Sequence, residues 1–257
     1  MFNTTIATQI YAKICFEATN SQKKIIENLS EYLSDDDFSR IFVLNGFAGT
    51  GKTTLIAALV AALKELRIKP VLLAPTGRAA KVLARYCGEQ ALTIHKRIYR
   101  QRTNADYESK FSLDFNREQG AVFIVDEASM LSDSTGDGAL FGSGSLLEDL
   151  VSYVRSGRSC RLILVGDSAQ LPPVGCDFSP ALDPATVSRY GEVVYGLMDE
   201  VVRQQMQSGI LFNATLVRCM LENRIYEIPK FEMDYPDFES VEGGDFMEKL
   251  QDAFDRY

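Results

Sequence analysis

The chain has 257 residues, of which 46% are hydrophobic and 24% charged, with a net charge of −8 at pH 7. That is room for one large α/β domain, or one domain with a small appendage, in a soluble globular protein. The longest mostly apolar stretch, residues 55–63, is far too short to cross a bilayer, no basic cluster followed by an apolar run opens the chain, and the five scattered cysteines lack metal-ligand spacing. These features point away from membrane, secretory leader and metal cluster, and towards a cytoplasmic protein with reduced thiols. An acidic balance argues at first against a nucleic-acid partner, but the charge is unevenly spread. Residues 222–257 hold eleven acids against four Lys/Arg, whereas residues 78–102 hold seven Lys/Arg against one acid.

In chain order, the first predicted element is a helix over 22–33, opened by Thr19-Asn20-Ser21-Gln22 as a capping box. A strand follows at 41–46 (IFVLNG), then a glycine-rich turn and a helix over 53–66 that is apolar almost all round. A strand at 70–75 (PVLLAP) leads into a helix over 78–87, on which Arg78, Lys81 and Arg85 are spaced by three and four residues and so share one face. Such a face fits either phosphate-backbone contact or plain solvation. Residues 96–120 are polar, basic and aromatic, and read as irregular. Strands return at 121–127 (AVFIVDE) and 161–167 (RLILVGD), separated by an irregular stretch over 132–144 and a helix over 145–155, with a weaker strand at 192–197 (EVVYGL). Residues 229–245, acidic and with two prolines, again read as irregular. Continuous apolar runs suit strands buried on both faces of a parallel sheet, and their alternation with helices predicts an α/β fold with a mostly parallel sheet and helices on both faces. Functional groups in such sheets gather at the carboxyl ends of the strands.

The chemistry sits at those ends. Gly46-Phe47-Ala48-Gly49-Thr50-Gly51-Lys52-Thr53 matches G-x-x-x-x-G-K-[ST] between a strand and a helix. Glycines let backbone N–H groups curl round a phosphate, and the helix that follows presents its positive end to it. Lys52 is then placed for the β/γ-phosphates of ATP and Thr53 for Mg²⁺. Asp126 and Glu127 end the third long strand, where Asp126 shares the metal with Thr53 and Glu127 serves as general base. An adjacent pair of acids favours hydrolysis over phosphoryl transfer to a bound metabolite.

In order and spacing these motifs resemble the superfamily 1 DNA helicases of the RecD-like and Dda-like group. GFAGTGKTT resembles motif I, APTGRAAKVL (74–83) motif Ia, TIHK (93–96) the short motif after it, VDEASM (125–130) motif II, VGDSAQLPPVG (165–175) motif III and EVVRQ (200–204) motif IV. The resemblance spans roughly residues 18–220. It implies a RecA-like P-loop motor domain over residues 1–221, which couples ATP hydrolysis to single-stranded DNA translocation and duplex unwinding, 5′→3′ in the complete protein. Its nucleotide set comprises Gln22 at the adenine, with Gly46, Ala48, Gly49, Thr50, Gly51, Lys52, Thr53 and Thr54 on the phosphates. It makes Gln170 a γ-phosphate sensor and Arg203 an arginine finger, so that the catalytic set is Lys52, Glu127, Gln170 and Arg203. Single-stranded DNA contacts fall on Pro75, Thr76, Arg78, Lys81 and His95. The family inserts a small subdomain with a pin-like hairpin where this chain has residues 96–120. There Arg97, Tyr99, Arg100, Arg102, Tyr107 and Phe111 interleave charge with aromatic rings, as single-strand binding needs, and Asn104-Ala105-Asp106 would form the tip.

Motifs V and VI, carried by a second RecA-like domain, have no counterpart after residue 220. The acidic segment 222–257 is expected to lead into that missing domain, and the chain to be a truncated piece whose own turnover needs it. The oligomeric state is left open. Two other readings fit the P-loop alone: a stand-alone ATPase or nucleotide-dependent switch that needs no DNA, and a small-molecule kinase, in which motif III has no place.

Overall fold

The computed structural model describes residues 2–14, 17–103, 109–133, 141–200, 202, 208–238 and 240–256. The chain divides into two compact units, residues 1–200 and 201–257.

The first unit runs α1 (Phe2–Lys13), α2 (Asn20–Ser34), β1 (Ile41–Gly46), α3 (Lys52–Glu65), β2 (Pro70–Ala74), α4 (Gly77–Cys87), β3 (Ala91–Thr93), α5 (Ile94–Ile98), β4 (Tyr99–Thr103), β5 (Ser109–Leu113), β6 (Val122–Val125), α6 (Leu146–Ser156), β7 (Arg161–Gly166), α7 (Pro184–Val187) and β8 (Val193–Met198). Six of these strands form one sheet in the order β3-β2-β6-β7-β1-β8, with every pair parallel. Alternate side chains of each strand enter opposite cores. Phe42, Leu44, Ile124 and Ile163 meet α1, α2 and α3 on one face. Ile41, Val43, Phe123 and Leu164 meet α5 and α6 on the other. This double burial explains the unbroken apolar runs, each buried Val, Leu, Ile or Phe being worth about 1.5–3 kcal/mol.

The expected strands and helices form within a residue or two of their predicted bounds. The structure adds elements that periodicity does not flag. The strand β3 is only three residues long, and α1 contributes Ile6 and Ile10 to the core, with Ala7 packed against it. Residues 96–120, expected to be irregular, hold the end of α5 and an antiparallel hairpin in which Tyr99 pairs with Leu113 and Thr103 with Ser109. Residues 104–108 lie outside the described residues, and with them the expected tip and Tyr107.

In the second unit, α8 (Gly209–Glu222) is capped by Ser208, whose hydroxyl donates to Asp237 at 2.5 Å. The irregular segment after it is tied back by Asn213, which donates to the Glu232 carbonyl at 2.8 Å and accepts from the Glu232 N–H at 2.8 Å. A final helix, α9 (Phe246–Arg256), ends the described chain. Among the described residues no helix is long and apolar enough to cross a membrane.

Candidate functional site

The turn between β1 and α3 is an anion cradle. Gly49 and Gly51 lie at φ 77° and 86°, in the left-handed region that glycine adopts without a Cβ clash. A Cβ on Gly46 would sit 2.9 Å from Lys52 Cγ, so glycine there makes room for the lysine stem. Thr50 is fully buried and ties the turn by donating from Oγ1 to the Phe47 carbonyl at 2.8 Å. The helix that follows is not capped. Gly51 offers no side chain to the first turn of α3, whereas Thr19, Thr76, Thr93 and Ser145 cap α2, α4, α5 and α6. Among the described residues the N–H groups of Gly49, Gly51, Lys52 and Thr53 make no main-chain hydrogen bond. A helix end with unmet donors and a positive dipole fits an anion.

Three charged side chains face this cradle. The Lys52 ammonium donates to the Gly46 carbonyl and, at 3.0 Å, to the Phe47 carbonyl, and it lies 3.7 Å from Asp167 Oδ2. Burial lowers its pKa, opposed by Asp167, Glu127 and Asp126. Asp126, at the end of β6, is pushed up to about 6 by burial, and the Glu127 charge adds to the rise while Lys52 opposes it. A carboxylate held at such cost suits a divalent cation, and Thr53 lies in the first turn of α3. No cluster of three or more His, Cys, Asp or Glu able to hold a metal occurs among the described residues. Mg²⁺ takes one or two carboxylates and completes its shell with water and phosphate, and Asp126 is a partly buried carboxylate of that kind. Glu127 has φ 55° and ψ 37°, a left-handed backbone that costs a non-glycine residue on the order of 1–2 kcal/mol. It turns the chain off the strand axis into the 3-10 turn Ala128–Met130.

The loop after β7 reaches the same place. Asp167 accepts from the Ala169 N–H at 2.9 Å and so shapes the loop, while Gln170 is exposed and accepts from the Ser129 hydroxyl at 3.2 Å. Two residues here escaped the sequence reading. Buried Ser129 links the motif II turn to Gln170. Asn45 donates from Nδ2 to the Ser168 hydroxyl at 2.8 Å and to the Tyr195 hydroxyl at 3.0 Å, and accepts from the Ser168 N–H at 3.0 Å. The available signal was a polar residue closing an otherwise apolar strand.

Gln22 is 1% exposed and engaged at both ends of its amide. Its Oε1 accepts from the Thr19 N–H at 3.0 Å, completing the capping box, and its Nε2 donates to the Thr50 carbonyl at 2.9 Å. A cavity of about 430 Å³ opens between the first turns of α2 and the end of β8, lined by Asn20, Ser21, Lys24, Tyr195, Leu197 and Asp199 among others. It adjoins the cradle, since the Phe47 N–H donates to the Met198 carbonyl at 3.1 Å. Arg203 lies outside the described residues.

Along the same edge, Pro75 and Thr76 end β2, with Thr76 Oγ1 capping α4 at 3.2 Å from the Ala79 N–H. Arg78 and Lys81 are exposed on α4. His95 is half-buried, its ring 5.1 Å from Phe141 and 5.6 Å from Tyr99, and burial lowers its pKa. Among the described residues, several of the basic and aromatic groups after it are engaged in holding the hairpin in place. Tyr99 is buried and donates to Asp149 Oδ2 at 2.6 Å, and Phe111 stacks on Phe141 at 4.5 Å. Arg97 pairs with Glu118 at 2.6 Å and Arg100 with Asp114 at 2.6 Å. The side chain of Arg102 falls outside the described residues.

Comparison with known proteins agrees with this geometry. A protein-family model described as an AAA domain matches residues 17–211. The ATP-dependent RecD2 DNA helicase of Deinococcus radiodurans is 30% identical over 154 residues, 60% of this chain and 19% of that protein. The RecBCD enzyme subunit RecD of Mycobacterium tuberculosis is 33% identical over 201 residues, covering 63% of this chain and 32% of the subunit. The ATP-dependent DNA helicase dda of Enterobacteria phage T4 is 34% identical over 136 residues, 51% of this chain and 28% of that protein. The chain thus spans a fifth to a third of the length of these curated relatives. Among solved structures, Pif1 of Bacteroides sp in complex with ADP-AlF4 superposes with a TM-score of 0.50 at 18% identity, over 82% of this chain and 47% of that one, which speaks for the fold. Fold and relatives place the chain among nucleotide-using proteins. It belongs to the AAA-domain family.

Proposed function

We propose that this chain is the ATP-binding motor domain of a DNA helicase, which couples ATP hydrolysis to movement along single-stranded DNA. One observation carries the reading: an uncapped helix end, a buried lysine and a strained, partly buried carboxylate pair meet at a single sheet edge, in a family whose relatives include proteins named as ATP-dependent DNA helicases.

The phosphates of ATP lie on the amides of residues 48–54, with Gly46 leaving space for Lys52, whose ammonium exchanges its carbonyl partners for β- and γ-phosphate oxygens. The Thr53 hydroxyl and Asp126 are the residues that would hold Mg²⁺, which when bound neutralises phosphate charge. Glu127 orients the attacking water and accepts its proton. Gln170, in contact with Ser129 of the motif II turn, senses the γ-phosphate, and Arg203 neutralises charge developing on it. The adenine occupies the cavity beside the first turns of α2, and Gln22 ties that helix to the cradle. Pro75, Thr76, Arg78, Lys81 and His95 carry the single strand, and the β4–β5 hairpin is the pin that meets the duplex. Residues 1–221 form this motor domain, and residues 222–257 lead towards a second RecA-like domain that closes over the γ-phosphate and is required for stepping, 5′→3′.

Glu127→Gln tests the reading. ATP affinity, measured by calorimetry, is expected to stay within a few-fold of the parent. DNA-stimulated hydrolysis, measured with the second domain present, is expected to fall by roughly 10²–10⁴-fold. A parent chain that binds no MgATP, or a variant that turns over at the parent rate, contradicts it.

A further inference from the structure

The outer face of α4 carries more than the two cations assigned above. At 100° per residue, Arg78 and Arg85 lie at the centre of the exposed arc, Lys81 flanks them on one side, and Val82 and Tyr86 flank them on the other. Val82 is 47% and Tyr86 63% exposed, while Ala80 and Leu83 are buried against the sheet. The helix contains no acid, and none of its three cations has a carboxylate partner among the described residues. By contrast, Lys64, Lys69, Arg97 and Arg100 are each ion-paired. Unpaired cations with an exposed aromatic along one helical ridge are the combination that binds a single strand, phosphates on the charged flank and a base on the ring.

We propose that the single-strand path does not end at Lys81 but continues down α4, with Arg85 holding a phosphate and Tyr86 stacking a base. Arg78 to Arg85 covers about 10 Å along the helix, on the order of three phosphate spacings of a stacked strand. The extension begins where the α4 part of the proposed strand track, Arg78 and Lys81, leaves off, and to that extent it rests on that reading.

The test is binding of oligothymidylates of increasing length to the whole chain at several salt concentrations, for the parent, Arg85→Gln, Tyr86→Ala and Thr76→Ala. Both α4 side chains are exposed, so thermal melting is expected to match the parent. Arg85→Gln is expected to flatten the slope of log affinity against log salt by about 0.7, the share of one phosphate. Tyr86→Ala is expected to weaken long oligomers about fivefold or more and to leave the shortest unchanged. If Thr76→Ala weakens binding while both α4 variants bind like the parent at all lengths, the extended path is wrong and the strand-end track survives. If the parent binds no oligomer at low salt, both fall together.

Discussion

Two helices leave the same sheet edge one strand-helix unit apart, and their first turns differ. In α4 the chain supplies its own cap, since Thr76 accepts from the Ala79 N–H at 3.2 Å. In α3 Gly51 supplies none, and the N–H groups of Gly49, Gly51, Lys52 and Thr53 make no main-chain hydrogen bond among the described residues. The geometry is the same βα junction, so the difference is chemical. One helix end is complete in the polypeptide alone; the other is finished only by something anionic. The unmet site also holds two perturbed ionisations, those of Lys52 and Asp126.

Three changes would break or sharpen this contrast. The largest effect is expected from Lys52→Ala, which removes the ammonium and leaves the uncapped amides. ATP affinity should drop by roughly 10²-fold or more, on the order of 3 kcal/mol for a lost charge-assisted contact, with the melting temperature little changed; titration with a fluorescent ATP analogue reads it directly. Affinity that survives would mean that the open helix end is not the phosphate site. Next is Asp126→Asn, read by thermal melting across pH. The carboxyl of Asp126 titrates near 6 in the fold, above its ordinary value, so its contribution to stability is lost as pH rises from about 4 to 6. The asparagine variant should therefore exceed the parent by on the order of 1–3 kcal/mol at pH 8 without metal, and match it near pH 4. A constant difference at all pH values would remove the carboxylate charge as the cause. The smallest effect belongs to Thr76→Ala, which takes the cap from α4 and should cost about 1 kcal/mol of stability while sparing ATP affinity. Loss of nucleotide binding in that variant would erase the distinction between the two helix ends.

The sheet and the cradle were legible in the sequence for a physical reason: both are local. Runs such as IFVLNG and RLILVGD are buried on both faces and carry their signal in composition, and the glycines of the turn are fixed by backbone conformation within eight residues. Parts built from distant partners were not legible. The hairpin base depends on Tyr99 meeting Asp149, fifty residues away, and on Phe111 meeting Phe141. Spacing could not reveal that these rings were spent on packing and so unavailable for stacking on bases. Ion pairs such as Arg97 with Glu118 hid in the same way, because a count of basic residues does not show which are already neutralised. The short β3 carried too few apolar positions to register as periodic.

Asn45 has a consequence for stiffness. Its single side chain fastens the last turn of β1 to Ser168 and to Tyr195, so three chain segments are bolted together beneath the cradle. Pulling the β7 loop away would strand a buried amide at a cost of roughly 1–3 kcal/mol, enough to make the separated arrangement the rare one by a factor of about five or more. The loop bearing Gln170 therefore moves as a lever hinged on the floor of the turn, and inherits whatever small displacement the turn undergoes when it is filled.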